Sequence, residues 1–167
     1  MSTITETKRP VALAAIIKTG LLVGTLDGIA AILWSYCYTH VISLKLFVYI
    51  ASGIFGKAAF SGGQVMLFWG ILAHYFIAFC FTTAWFLLYP FFNSILRNKY
   101  VIAIVYGIIT WALMDRIVVP LSNTPKQAFN TTSALIGCII LMFTAGLPIV
   151  LMAHSYYYKL KGRLLYL

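Results

Sequence analysis

Asp27 and His74 are the residues of this chain best suited by type and position to handle a proton or an ion. Each lies in an apolar run long enough to cross a bilayer. An Asp at the centre of a membrane helix costs about 2.5–3.5 kcal/mol on insertion scales, so it needs a partner or a task. The first run reads TGLLVGTLDGIAA, and Gly20, Gly24 and Gly28 recur every four residues, a doubled small-xxx-small pattern. At about 100° per residue, Gly20, Gly24, Asp27, Gly28, Ala31 and Ser35 share one helix face. Asp27 therefore projects from the face built for close helix contact, not toward lipid. With a rise of about 1.5 Å per residue it lies roughly 13 Å from the level of Lys18. His74 lies about 15 Å into its own run, between Gly70 and Ala78 one turn away on either side. The matched depths predict an Asp27–His74 contact. In a low dielectric such a pair would share a proton and titrate together. The plainer reading is an interhelical hydrogen bond of about 0.6–2 kcal/mol. Both readings require the two faces to meet.

A second polar group lies in the run MDRIVVP, where Asp115 and Arg116 are adjacent. Neighbours on a helix point about 100° apart, so each is expected to reach a different partner. Asp115 would meet Lys57 or Lys126, and Arg116 the head groups or Asp27 from above. With Lys57 they make an external polar cap. Other chemistry finds little support. Cys37, Cys80 and Cys138 fall in three separate apolar runs with no CxxC or Cys–His spacing, so neither a metal nor a disulfide framework is indicated. Axial haem ligands must face each other at one depth, and His40, His74 and His154 fall at three depths. No nucleotide-binding, zinc-protease or Ser–His–Asp signature is present, and nothing nominates a nucleophile. The sequence thus calls for no cofactor and nominates no catalytic residue.

The elements that position these residues follow from composition. Hydrophobic residues make up 62% of the 167-residue chain and charged residues 9%, against roughly 45–50% and 25% in soluble domains. Only lipid can accept so much apolar surface. Four spanning helices are expected at about 10–39, 64–92, 100–119 and 129–158, forming an all-α antiparallel bundle. Lys18 can snorkel to the interface. A polar tail (1–9) precedes the bundle and a basic tail (159–167) follows it. Residues 41–63 carry Lys45, Lys57 and a cluster of Gly and Ser, and are expected as short amphipathic helices on the outer surface, or as a re-entrant element. The basic loop Asn93–Lys99 and the turn PLSNTPK make helices two, three and four antiparallel neighbours. Gly146 and Pro148 are expected to kink the fourth. Trp69 is expected in an outer aromatic belt, and Trp85, Tyr89 and Tyr156–Tyr158 in an inner one.

The net charge of +9 would suggest nucleic acid in a soluble protein. Here Lys8, Arg9, Lys18, Arg97, Lys99, Lys159, Lys161 and Arg163 gather where the chain leaves the membrane on one side. This is the positive-inside pattern, and it places both termini in the cytoplasm. The partners implied are the bilayer itself and a homo-oligomer or larger membrane complex, not nucleic acid.

The Gly-rich first span with LVGTLDGIAA, the membrane-surface stretch, the AHYFIAF histidine and the PLSNTP turn together resemble the YagU-like bacterial inner-membrane proteins. The resemblance covers nearly the whole chain, with a shorter external segment and tail here. It implies a small polytopic protein of the bacterial inner membrane and brings no catalytic residues with it. The function expected first is a structural or accessory subunit, suggested by small size and by the glycine-lined faces of Gly20, Gly24, Gly28 and Gly70. The alternative is a proton-linked transporter or channel using Asp27 and His74, and a membrane enzyme acting on lipid comes third, with no nucleophile nominated.

Overall fold

In the computed structural model, residues 8–126 and 130–164 are described; residues 1–7 of the expected tail 1–9 and 165–167 of the expected tail 159–167 lie outside them, and the described part of each tail is helical. α1 (Lys8–Thr39) is a run of Leu, Ile, Val, Ala and Gly with no proline beyond Pro10. It ends where His40 adopts a left-handed φ of 53°. α2 (Lys45–Phe55) continues into a 3₁₀ segment (Gly56–Ser61), and α3 (Gly63–Leu96) follows. α4 (Lys99–Leu113), a π-helical turn (Met114–Val118) and α5 (Val119–Leu121) form one rod. α6 (Thr131–Leu141), a second π-turn (Met142–Gly146) and α7 (Leu147–Leu164) form the last.

The fold is all-α, with four helices long and apolar enough to cross a bilayer: Ala12–Cys37, Gly63–Leu96, Lys99–Leu121 and Thr131–Lys159. Their outward surfaces are apolar all round, as at Phe76 (67% exposed) and Leu87 (69%), the mark of helices in lipid. Segment 41–63 differs in kind. The 11 residues of α2 cover only about 17 Å, roughly half of a hydrocarbon core. The helix between α3 and α4 is broken by two residues rather than by the longer Asn93–Lys99 loop expected. Arg97 takes a left-handed φ of 53° and its N–H bonds to the Asn93 carbonyl, and the Asn98 side chain then accepts from the Tyr100 and Val101 amides. One residue caps the ending helix and the next caps the starting one.

The expected kink at Gly146–Pro148 is a π-turn, and it has a twin. Met114–Val118 is followed by Val119 and Pro120, and Met142–Gly146 by Leu147 and Pro148. A proline lacks the N–H for the carbonyl four residues back, and its ring crowds that carbonyl. The wider turn relieves this: Val119 bonds to Met114 and Leu147 to Met142, each five residues back. Pro90, inside α3, has no such turn, so proline alone does not create one.

α3 and the last rod form the middle of the bundle, with α1 and α4 on their flanks. The core lies in the half that carries the chain termini: Trp85, Phe86, Tyr89, Ile102, Tyr106, Ile149 and Val150 are buried there. The opposite half is closed by α2, which inserts Phe47 and rests Ala51 and Ser52 on the bundle. The α5–α6 connection holds α2 in place. The Asn123 amide donates to the Gly53 carbonyl (3.0 Å), its side chain to the Ile54 carbonyl (3.3 Å), and the Tyr49 hydroxyl to the Pro125 carbonyl (3.4 Å).

Candidate functional site

Asp27 sits on the side of α1 that faces the second π-turn, and it is half-buried. The Thr144 hydroxyl donates to its Oδ1 at 3.0 Å and lies 2.9 Å from the Ile140 carbonyl. A threonine carries one hydroxyl proton, so these two acceptors compete for it. Among the described residues no Lys, Arg or His stands within ion-pair distance of Asp27.

The expected Asp27–His74 hydrogen bond is not formed. His74 Nε2 donates instead to the Gly24 carbonyl at 2.8 Å, and its ring stands edge-on to Phe47 and Tyr75, at 5.6 Å from each. His74 faces Gly24 and Gly28, while Asp27, about 100° further round α1, faces the last rod. The two side chains thus bond to different neighbours, and the expected contact between them is absent.

The glycines of α1 pack within the chain. A Cβ at Gly20 would overlap the Phe79 ring, and one at Gly24 would come within 2.7 Å of the Tyr75 ring. At Gly70 it would overlap the Phe47 carbonyl, since α2 crosses α3 there backbone to side. Gly28 is different: a Cβ would meet His74 Nε2 at 3.5 Å and Phe47 at 3.6 Å, ordinary contacts. Beside it is a cavity of about 130 Å³ lined by Gly24, Gly28, Ile29, Phe47, His74 and Tyr75, together with Thr25 and Ile32.

Asp115 and Arg116, expected to reach different partners, pair with each other, Nε to Oδ2 at 3.4 Å. Both lie in the π-turn, and the Arg116 guanidinium also stands over the Trp111 ring of α4, 5.9 Å from the centroid. Lys57 is exposed on the 3₁₀ segment and forms no ion pair with Asp115.

A polar network in the other half was not read from the sequence. Tyr89 Oη lies 2.7 Å from His154 Nδ1 and 3.2 Å from Asn93 Oδ1. The Trp85 indole donates to Thr110 at 2.8 Å while its ring stacks on Tyr106 at 4.0 Å. Tyr157 stacks on Tyr89 and donates to the Phe86 carbonyl. Trp85 and Tyr89, expected in an aromatic belt, are only 4% and 2% exposed. An amphipathic ring needs one wet or bonded end, and here a protein partner supplies it. Their spacing of four residues on one helix face was the available signal.

Among the described residues no cluster of three metal-ligating side chains occurs. The site can therefore hold a proton, or a small cation at a carboxylate aided by a hydroxyl. No family model matches this chain, and no curated protein or solved structure matches it either.

Proposed function

We propose that this is a small polytopic membrane protein that binds and releases a proton or small cation at Asp27. The observation that carries the reading is the setting of Asp27: inside a span, held by one hydroxyl from a π-turn, with no ion-pair partner among the described residues. Acids in such positions ordinarily mark ion or proton pathways, and π-turns recur at functional sites. Four spans are few for a pathway through one chain, so the reading includes a homo-oligomer. It also includes the bacterial inner membrane with both termini cytoplasmic, in keeping with the charge pattern and with the YagU-like resemblance. The test is proton flux in reconstituted vesicles carrying a pH-sensitive dye. Wild type should pass protons down an imposed gradient, and Asp27→Asn should abolish this while keeping its helical content and detergent elution volume. Equal flux in the variant, or none in wild type, would sink the proposal.

The accessory-subunit reading keeps one observation of its own. Arg116 and Asp115 are 55% and 41% exposed by side chain within the third span, a polar patch that a partner helix could cover. The glycine faces no longer support it, because Gly20, Gly24 and Gly70 are used inside the chain. Intact-mass measurement after gentle extraction decides: co-extraction of different chains in fixed ratio favours this reading.

A further inference from the structure

From the cavity between α1 and α3 we infer a second site, separate from Asp27, for a single-ring molecule dissolved in the bilayer and carrying a ring oxygen. Its size comes first. The cavity is a recess of about 130 Å³ with an open side, near the ~150 Å³ that holds one benzene ring in an enclosed apolar site. Its lining is mostly hydrocarbon and aromatic, from Ile29, Ile32, Phe47 and Tyr75, so water gains few partners there. Its location comes second. Thr25 stands near the middle of the span Ala12–Cys37 and, like Ile29, is exposed on the lipid-facing side. A ligand at that depth enters sideways from the hydrocarbon and must itself be lipid-soluble.

The polar rim selects the oxygen. Thr25 Oγ1 lies 2.9 Å from Tyr75 Oη and donates to the Leu21 carbonyl at 2.8 Å. With the threonine proton committed to Leu21, the tyrosine donates to Thr25. Its own oxygen then keeps acceptor capacity for a ligand hydroxyl. If the threonine turns to Tyr75, the tyrosine proton is released toward a ligand carbonyl. A hydroxyl pair in hydrocarbon gains from a further bond in either state. Phenols and quinone head groups share this chemistry.

Gly28 provides the test. Its missing side chain is not required by packing, since a Cβ there makes only ordinary contacts with His74 and Phe47. The glycine keeps the cavity open. The probe is 4-fluorophenol, followed by ¹⁹F NMR on the full chain in nanodiscs, with protein-free nanodiscs to subtract partitioning and fluorobenzene as the apolar control. Wild type should bind 4-fluorophenol saturably. Gly28→Leu should lose that binding with its thermal midpoint intact. Tyr75→Phe should weaken 4-fluorophenol by about three- to tenfold, the value of one hydrogen bond, and leave fluorobenzene unchanged. No saturable binding to wild type overturns the inference. So does undiminished binding to a folded Gly28→Leu. If Gly28→Leu fails to fold, Tyr75→Phe decides alone, and an equal loss or no loss for both probes overturns the oxygen-selective site. None of these readouts depends on proton flux, so the outcome stands apart from that at Asp27.

Discussion

One hydroxyl proton on Thr144 is contested between the Asp27 carboxyl and the Ile140 carbonyl. Removing the hydroxyl takes from Asp27 its one hydrogen-bond donor among the described residues, which is costly in a low dielectric. A double-mutant cycle of Asp27→Asn and Thr144→Val, read by denaturant unfolding in detergent, should give a coupling of about 0.6–2 kcal/mol. Thr144→Ser, which keeps the donor, should retain most of it. Zero coupling would mean that the contact contributes nothing. At this scale the sequence was legible in part. Spacing put Asp27 on a face that packs against another helix. It could not give the direction of each side chain around the bundle, because a difference of one residue turns a group by about 100°. That single step sends Asp27 to Thr144 and leaves His74 to Gly24. Thr144 itself was invisible, one threonine in an apolar run whose position depends on a π-turn.

Between elements, closeness is set by what a glycine lacks. α2 crosses α3 at Gly70 so tightly that a Cβ would overlap the Phe47 carbonyl, and α4 meets the last rod where a Cβ at Gly146 would overlap the Ala103 carbonyl. Backbone cannot yield as a flexible side chain does. Gly70→Ala should therefore cost about 1–3 kcal/mol, as overpacking does, whereas Gly28→Ala should be nearly neutral. Thermal or denaturant unfolding of the two variants side by side checks the contrast, and equal losses would refute it. Both glycines belong to small-residue stripes in the sequence, and the stripe could not say which was pressed against backbone. The same holds for the two π-turns. Pro120 and Pro148 were visible as helix breakers, but Pro90 shows that a proline does not by itself produce the wider turn. The neighbouring packing decides, and that is a property of the assembled bundle.

For the molecule as a whole, lipid makes the sequence easy to read. Each span must be apolar along its length, because backbone polar groups must be satisfied within the helix and side chains face hydrocarbon. Hydropathy alone therefore gave the four spans and the short segment between the first two. Charge gives the orientation, and this can be checked directly. Lys8, Arg9, Lys18, Arg97, Lys99, Lys159, Lys161 and Arg163 belong to the end of the bundle where the chain starts and finishes. Lys45, Lys57, Arg116 and Lys126 belong to the end closed by α2. An excess of that size on short connections favours the first end as cytoplasmic. Ser94 is exposed near the α3–α4 turn at one end, and Lys126 is exposed on the α5–α6 connection at the other. With Cys37, Cys80 and Cys138 replaced by alanine, a membrane-impermeant maleimide applied to intact cells should label Lys126→Cys. Ser94→Cys should be labelled only after permeabilisation. The opposite pattern would place α2 in the cytoplasm. Asp27, on the α2 side of the midpoint of its span Ala12–Cys37, would then lie in the cytoplasmic half of the bilayer.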